Sequence, residues 1–327
     1  MKSFRLSSII LVTSGLALLL SGCGNQAASP EGKLKVVTTF YPMYEFSKQV
    51  AGDHADVVAL IPPGVEPHDW EPSAKDMAVL KEANVFVYNG IVEGWVDGAL
   101  SSSANEQRIV VEASSGITLM EGEEEHEEGE SNQHAEANEG PVVTKAHDEA
   151  EGHPLDPHVW LDPVLAQQEV SAIEAAMEKA DPANKEDYRK NAESYVAKLK
   201  ELDLAFRDGL QAAKHKEFVT QHAAFGYLAK EYGLTQIPIA GLSPEQEPSP
   251  EEMAKVVEFA REHGVKTIFF ETLVEPKVAR VVADEIGAAT DVLNPLEGLT
   301  DEEKQNNLDY IGVMKNNLAA LQKALNE

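Results

Sequence analysis

Residues 33–61 read KLKVVTTFYPMYEFSKQVAGDHADVVALI, and this stretch decides the fold. Lys33 to Thr39 is a β-branched run, Met43 to Val50 has a short helical pattern, and Ala55 to Ile61 is a second strand-like run. Strand, helix and strand in close succession predict a β-α-β unit and hence a parallel sheet. The alternation continues. Ser73 and Asp76 have the spacing of a capping box ahead of Met77, Leu80 and Ala83, and further strands are expected at Asn84 to Tyr88 and Arg108 to Glu112.

Farther along, Asp181-Pro182 has the form of an N-cap followed by a proline at the first helical position. Tyr188, Ala192, Tyr195, Leu199, Leu202 and Phe206 then recur in steps of four and three, which predicts one amphipathic helix running to about Lys214. At 1.5 Å per residue such a helix spans roughly 50 Å, enough to lie as a strut across two lobes. A second alternating series follows: strands at Glu217 to Gln221, Gln236 to Ala240, Val265 to Glu271 and near Val292, with helices at Ala223 to Glu231, from Ser249-Pro250-Glu251-Glu252, at Pro276 to Ile286, and from about Glu302. The expected architecture is α/β, two lobes each with a mainly parallel sheet flanked by helices, joined by one long rigid helix. The expected division is 33–181, 182–214 and 215–327, with ligands between the lobes at strand carboxyl ends.

At the amino end, Lys2 and Arg5 precede an apolar run from Ile9 to Leu20, the pattern of a secretory signal over residues 1–22. Twelve helical residues reach roughly 18 Å, short of a ~30 Å hydrocarbon core. The run ends in Leu20-Ser21-Gly22-Cys23, and Cys23 is the sole cysteine, so no disulfide can form within the chain. Residues 23–32 read as a tether. Lys+Arg 27 against Asp+Glu 56 leave a net charge of −29, which repels phosphate backbones, excludes nucleic-acid binding and attracts cations. Twelve of the acids lie between residues 121 and 153 beside a single base, Lys145. With too few apolar residues to build a core, that segment reads as a mobile loop inserted in the first lobe.

Three histidines stand out by position. His68 lies in Pro62-Pro63-Gly64-Val65-Glu66-Pro67-His68-Asp69-Trp70-Glu71-Pro72, a loop stiffened by four prolines directly after a strand. His158 lies in Asp156-Pro157-His158-Val159-Trp160-Leu161-Asp162-Pro163, again between prolines and beside carboxylates. His222 follows the strand Phe218-Val219-Thr220-Gln221. Each alone suits a packing or capping role. Together, three imidazoles on stiff strand-end loops, two in the first lobe and one in the second, match what a metal gripped between lobes requires. His126, His134, His147 and His153 sit in the acidic loop, where either a solvated charged segment or auxiliary metal capture fits. His54, His215 and His263 read as surface residues, and Trp70 and Trp160 as packing that holds the ligand loops.

These segments, with the Leu-Ser-Gly-Cys23 lipobox and Thr220-Gln221-His222-Ala223-Ala224-Phe225-Gly226-Tyr227, resemble the zinc-binding lipoproteins of bacterial metal ABC importers, the cluster A-I substrate-binding proteins. The resemblance covers nearly the whole mature chain. It implies a two-lobed binding protein, lipidated at Cys23 on the outer face of the cell membrane, that delivers Zn²⁺ to a permease driven by an ATPase. It also implies a monomer and no enzymatic activity. Carried over, the family's three histidine ligands fall on His68, His158 and His222. The fourth ligand is expected at Glu297, in Leu293-Asn294-Pro295-Leu296-Glu297, with Glu271, Glu66 or a water as alternatives.

Three imidazoles and a carboxylate suit Zn²⁺. Manganese relatives carry a carboxylate where His222 stands, so His222 points towards zinc, and a manganese importer is the first alternative. A secreted zinc hydrolase is the second, disfavoured because no His-Glu-x-x-His or Gly-x-Ser-x-Gly pattern occurs. A surface adhesin is a further secondary role, although it leaves the histidines unexplained.

Overall fold

The computed structural model describes residues 32–122 and 154–327. The expected signal, Cys23, the tether to Glu31, and His126, His134, His147 and His153 lie outside the described residues. Gly32–Glu327 forms one compact unit.

The first lobe contains β1 (Leu34–Thr38), α1 (Tyr41–Ala51), β2 (Ala55–Ala59), α2 (Ala74–Lys81), β3 (Val85–Tyr88), α3 (Val96–Ser102) and β4 (Ile109–Glu112). All its pairings are parallel, in the order β2-β1-β3-β4. The capping box before α2 is present: the Ser73 hydroxyl accepts from the Asp76 amide and the Asp76 carboxylate from the Ser73 amide. α4 (Pro163–Ala180) and α5 (Lys185–Leu210) come next, and the second lobe repeats the scheme. It comprises β5 (Glu217–Thr220), α6 (Gly226–Tyr232), β6 (Thr235–Pro238), α7 (Pro250–Glu262), β7 (Thr267–Phe270), α8 (Lys277–Ile286), β8 (Ala289–Val292), α9 (Asp301–Gln305) and α10 (Tyr310–Ala324). Its parallel order is β6-β5-β7-β8.

Several expectations need correction. The helix expected over 182–214 covers Lys185–Leu210, roughly 39 Å at 1.5 Å per residue, because Pro182–Asn184 forms a 3-10 turn. Asp181 makes no cap to a backbone amide; its carboxylate instead accepts from the Asn184 amide and the Tyr188 hydroxyl. α4 was not anticipated, although Asp162 caps it by accepting from the Val164 amide at 2.7 Å and Pro163 begins it. α3 was likewise not anticipated. The single closing helix is two, separated at Asn307, whose φ is 53°.

Alternation along the strands sorts side chains onto two faces. In the first lobe Val36, Val85 and Val87 face inward, while Val37 and Phe86 pack with Leu80, Val96 and Ala99 on the outer face. In the second, Phe218 and Phe269 face inward, while Val219 and Ile268 pack under α7 and α8. The two inward faces share one core. α5 runs through it, burying Tyr188, Ala192, Tyr195, Leu199, Leu202, Phe206 and Leu210, and α10 closes it with Tyr310, Val313, Met314 and Leu321. Full burial of each large apolar side chain contributes roughly 1.5–3 kcal/mol, so parting the lobes along α5 exposes many such groups at once. Among the described residues no helix is long and apolar enough to cross a membrane.

Candidate metal centre

Four loops at strand carboxyl ends meet between the lobes. The segment after β2 carries His68, the segment leading into α4 carries His158, His222 lies two residues beyond β5, and Glu297 lies five beyond β8. Their donor atoms lie within 4.8 Å of one another. Glu297 Oε1 is 3.1 Å from His68 Nε2, 3.4 Å from His158 Nε2 and 3.5 Å from His222 Nε2, and the last two nitrogens are 3.4 Å apart. The edge of a tetrahedron with metal bonds of 2.0–2.1 Å is about 3.3 Å, so these separations are those of a tetrahedral N₃O shell. His158, His222 and Glu297 are buried; the His68 side chain retains 12% exposure and is the only one of the four that faces outward.

Each buried imidazole is oriented by a carboxylate. His158 Nδ1 lies 2.8 Å from Asp156 Oδ1, which also accepts from the His158 amide at 2.9 Å. His222 Nδ1 lies 2.5 Å from Glu271 Oε1. A carboxylate at Nδ1 accepts its proton and leaves the Nε2 lone pair directed at the common centre. Glu271, weighed as a fourth ligand, therefore stands behind His222 and outside the set of converging atoms. Glu66, the other alternative, accepts from the His68 amide at 3.1 and 3.0 Å and stands 3.9 Å from His68 Nε2. Burial and the nearby Glu297 raise its carboxyl to about 7 against the lowering charge of His68.

The clustered imidazoles and carboxylates shift one another's proton affinity. Burial disfavours charge on His222, yet Glu271 and then Glu297 outweigh it and raise its pKa to about 10. His158 is also raised, with burial opposed by Asp156 and Glu297. Burial pushes the Glu297 carboxyl up, but His158, His222 and His68 together hold it well below the usual carboxylate range. A carboxylate held anionic beside two imidazoles whose proton affinity is raised is thus arranged to exchange protons for a divalent cation.

Other contacts fix the loops. The Trp160 indole N–H donates to the Pro295 carbonyl at 2.8 Å, and the Tyr310 hydroxyl donates to the Trp160 carbonyl at 2.5 Å. Trp70 stacks edge-on against Trp95. The Tyr227 hydroxyl, from α6, donates to the Asp156 carbonyl. The acidic insertion leaves the fold beside His158: Glu121 pairs with Leu155 in an antiparallel bridge, closed by Gly122 N–H to the Pro154 carbonyl at 2.7 Å. His54 pairs with Asp187, His263 stacks on Phe259 at the end of α7, and His215 is exposed. None of these three approaches the centre. Reading the sequence missed the contacts made by Asp156 and Tyr227. Asp156 was signalled by its two-residue spacing from His158; a lone tyrosine inside a helical pattern gives no such signal.

The family model described as ZnuA, zinc-uptake complex component A, periplasmic, matches residues 36–324. The chain is 51% identical over 329 residues to the high-affinity zinc uptake system protein ZnuA of Bacillus subtilis, covering 98% of each. It is 44% identical to the zinc-binding lipoprotein AdcA of Streptococcus pneumoniae, covering 97% of this chain and 61% of that one. The crystal structure of the Zn(II)-bound ZnuA-like domain of Streptococcus pneumoniae AdcA superposes with a TM-score of 0.73 at 41% identity, covering 90% of this chain and 100% of that domain. With the parallel-sheet lobes, the linking helix and the converging histidines in place, the chain belongs to the zinc-uptake complex component A family.

Proposed function

We propose that this chain captures Zn²⁺ outside the cell and hands it to the permease of an ATP-driven importer, with His68, His158, His222 and Glu297 as the zinc ligands. The observation that carries this reading is the convergence of three imidazole nitrogens and one carboxylate oxygen at tetrahedral separations. Two ligands come from each lobe, so the ion ties residues 33–181 to residues 215–327 across the linking helix. A neutral-imidazole, single-carboxylate shell favours zinc over manganese, which prefers oxygen donors and six-coordination.

A hydrolytic zinc centre keeps a position open for water beside a general base, whereas four protein donors converge here, which supports binding and release over catalysis. The lipid on Cys23 holds the protein at the outer membrane face, and the acidic loop with His126, His134, His147 and His153 raises the local cation supply. The test is zinc titration with metal counted per chain, for the parent, His222→Ala and Glu297→Ala, with manganese as competitor. One tight zinc weakened by both substitutions and poorly displaced by manganese is expected. Unaltered binding by Glu297→Ala overturns the ligand set.

A further inference from the structure

The carboxylate of Glu297 differs from the two buried imidazoles in what holds it. His158 and His222 each have a carboxylate behind them, but Glu297 Oε2 is buried without a hydrogen-bond partner, and Oε1 faces only the histidines. Its position is therefore set through its backbone. That backbone is unusual: Leu296, immediately before Glu297, is buried and left-handed, with φ 60°, a conformation that a leucine keeps only where its surroundings over-determine it.

What over-determines it is a chain of amide contacts. The Asn294 side-chain oxygen accepts from the Leu296 amide at 2.7 Å, folding the turn. Asn294 is gripped in turn by Asn317, a fully internal residue of α10: the Asn294 N–H donates to Asn317 Oδ1 at 2.9 Å, and Asn317 Nδ2 donates to the Asn294 carbonyl at 2.7 Å. One side chain thus satisfies both backbone groups of a residue beyond the end of β8, as a neighbouring strand does inside a sheet.

We infer that Asn317, remote in sequence from every ligand, is a positioning residue that sets the Glu297 carboxylate for zinc by clamping the Asn294 backbone. This rests on Glu297 being a zinc ligand, and the test separates the two ideas. Zinc affinity is measured by competition with a chromophoric chelator on the full-length chain in detergent, for the parent, Asn317→Ala, Glu297→Ala and the double variant, with circular dichroism checking the fold. Asn317→Ala is expected to weaken zinc binding about 10- to 100-fold, the range for groups that orient a ligand.

In the Glu297→Ala background the same substitution is expected to cost no more than about 2-fold, because the group it positions is gone. A general loosening of the fold costs the same in both backgrounds, and that result overturns the inference, as does full affinity in Asn317→Ala. If Glu297→Ala binds zinc as the parent does, the ligand assignment itself fails and takes the inference with it. Should Asn317→Ala not fold, the isosteric Asn317→Asp, which keeps the acceptor for the Asn294 N–H but loses the donor to its carbonyl, carries the same cycle.

Discussion

Replacing Glu271 by glutamine should flatten the pH dependence of zinc binding. Glu271 Oε1 lies 2.5 Å from His222 Nδ1, and its charge is the largest influence opposing burial in raising the pKa of His222 to about 10. Zinc needs the Nε2 lone pair, so at pH 7 binding must first remove a proton. Three units at 1.36 kcal/mol each make that competition on the order of 4 kcal/mol. The sign follows: because the metal-free pKa is raised, zinc affinity climbs as pH rises and levels off only when pH passes that pKa.

The slope of log affinity against pH counts protons released. For the parent it should be about one between pH 7 and 8, from the proton on His222. In Glu271→Gln the amide still accepts the Nδ1 proton but the charge is gone, and the slope should fall by about one over the same range. The assay is chelator competition from pH 6 to 9, paired with calorimetry in two buffers of different ionisation enthalpy. A parent slope of zero, or an unchanged slope in the variant, refutes the account.

Saturating zinc at about 1,000 times its dissociation constant should add about 4 kcal/mol, or roughly 7 °C in Tm for a chain of this size, and much less in Glu297→Ala; thermal scans with and without chelator check this. Glu169 is fully buried, with the Asn89 amide as its hydrogen-bond partner, and burial raises its carboxyl to about 8. Its folded pKa exceeds its unfolded one, so its contribution is lost as pH rises from about 4.5 to 8. Glu169→Gln should accordingly raise Tm more at pH 8 than at pH 5. Excising residues 123–153 and joining Gly122 to Pro154, which already meet, should leave one tight zinc per chain while lowering total metal bound, as elemental counting will read. Trp160→Phe removes the donor to the Pro295 carbonyl and also shrinks a fully buried ring, leaving a void, so it should cost at least about 1–3 kcal/mol in denaturant titration.

The inner strands β1, β3, β5 and β7 were legible because each is a short run rich in β-branched and aromatic residues with apolar side chains buried on both faces. α5 was legible in its core stripe but not in its start. Asp181-Pro182 has the composition of a helix beginning, yet the chain there turns in 3-10 geometry and Asp181 gives its carboxylate to side chains. α4 escaped because Asp162-Pro163 was read as stiffening for the His158 loop, although the same pair also begins a helix. At the site, prolines and strand ends mark the three histidines locally, whereas Glu297 was singled out only through the family resemblance; the structure brings all four together. The distinction between Glu297 and Glu271 is not local. Both follow strands of one sheet, and only the three-dimensional path puts one before the imidazole Nε2 atoms and the other behind Nδ1.

The inward faces of both sheets close on the same helix, so the molecule resembles a calliper whose jaws are welded to one bar. Such an instrument swings wide only at a cost, since opening wets the shared interior. On the zinc-capture reading proposed above, loading is mainly an electrical event: two positive charges arrive, protons depart, and the field at the rim around His68 changes. On that same reading, a receiving surface matched to the rim would read occupancy as potential, and the work of prising the ion loose would fall to the machine that takes it.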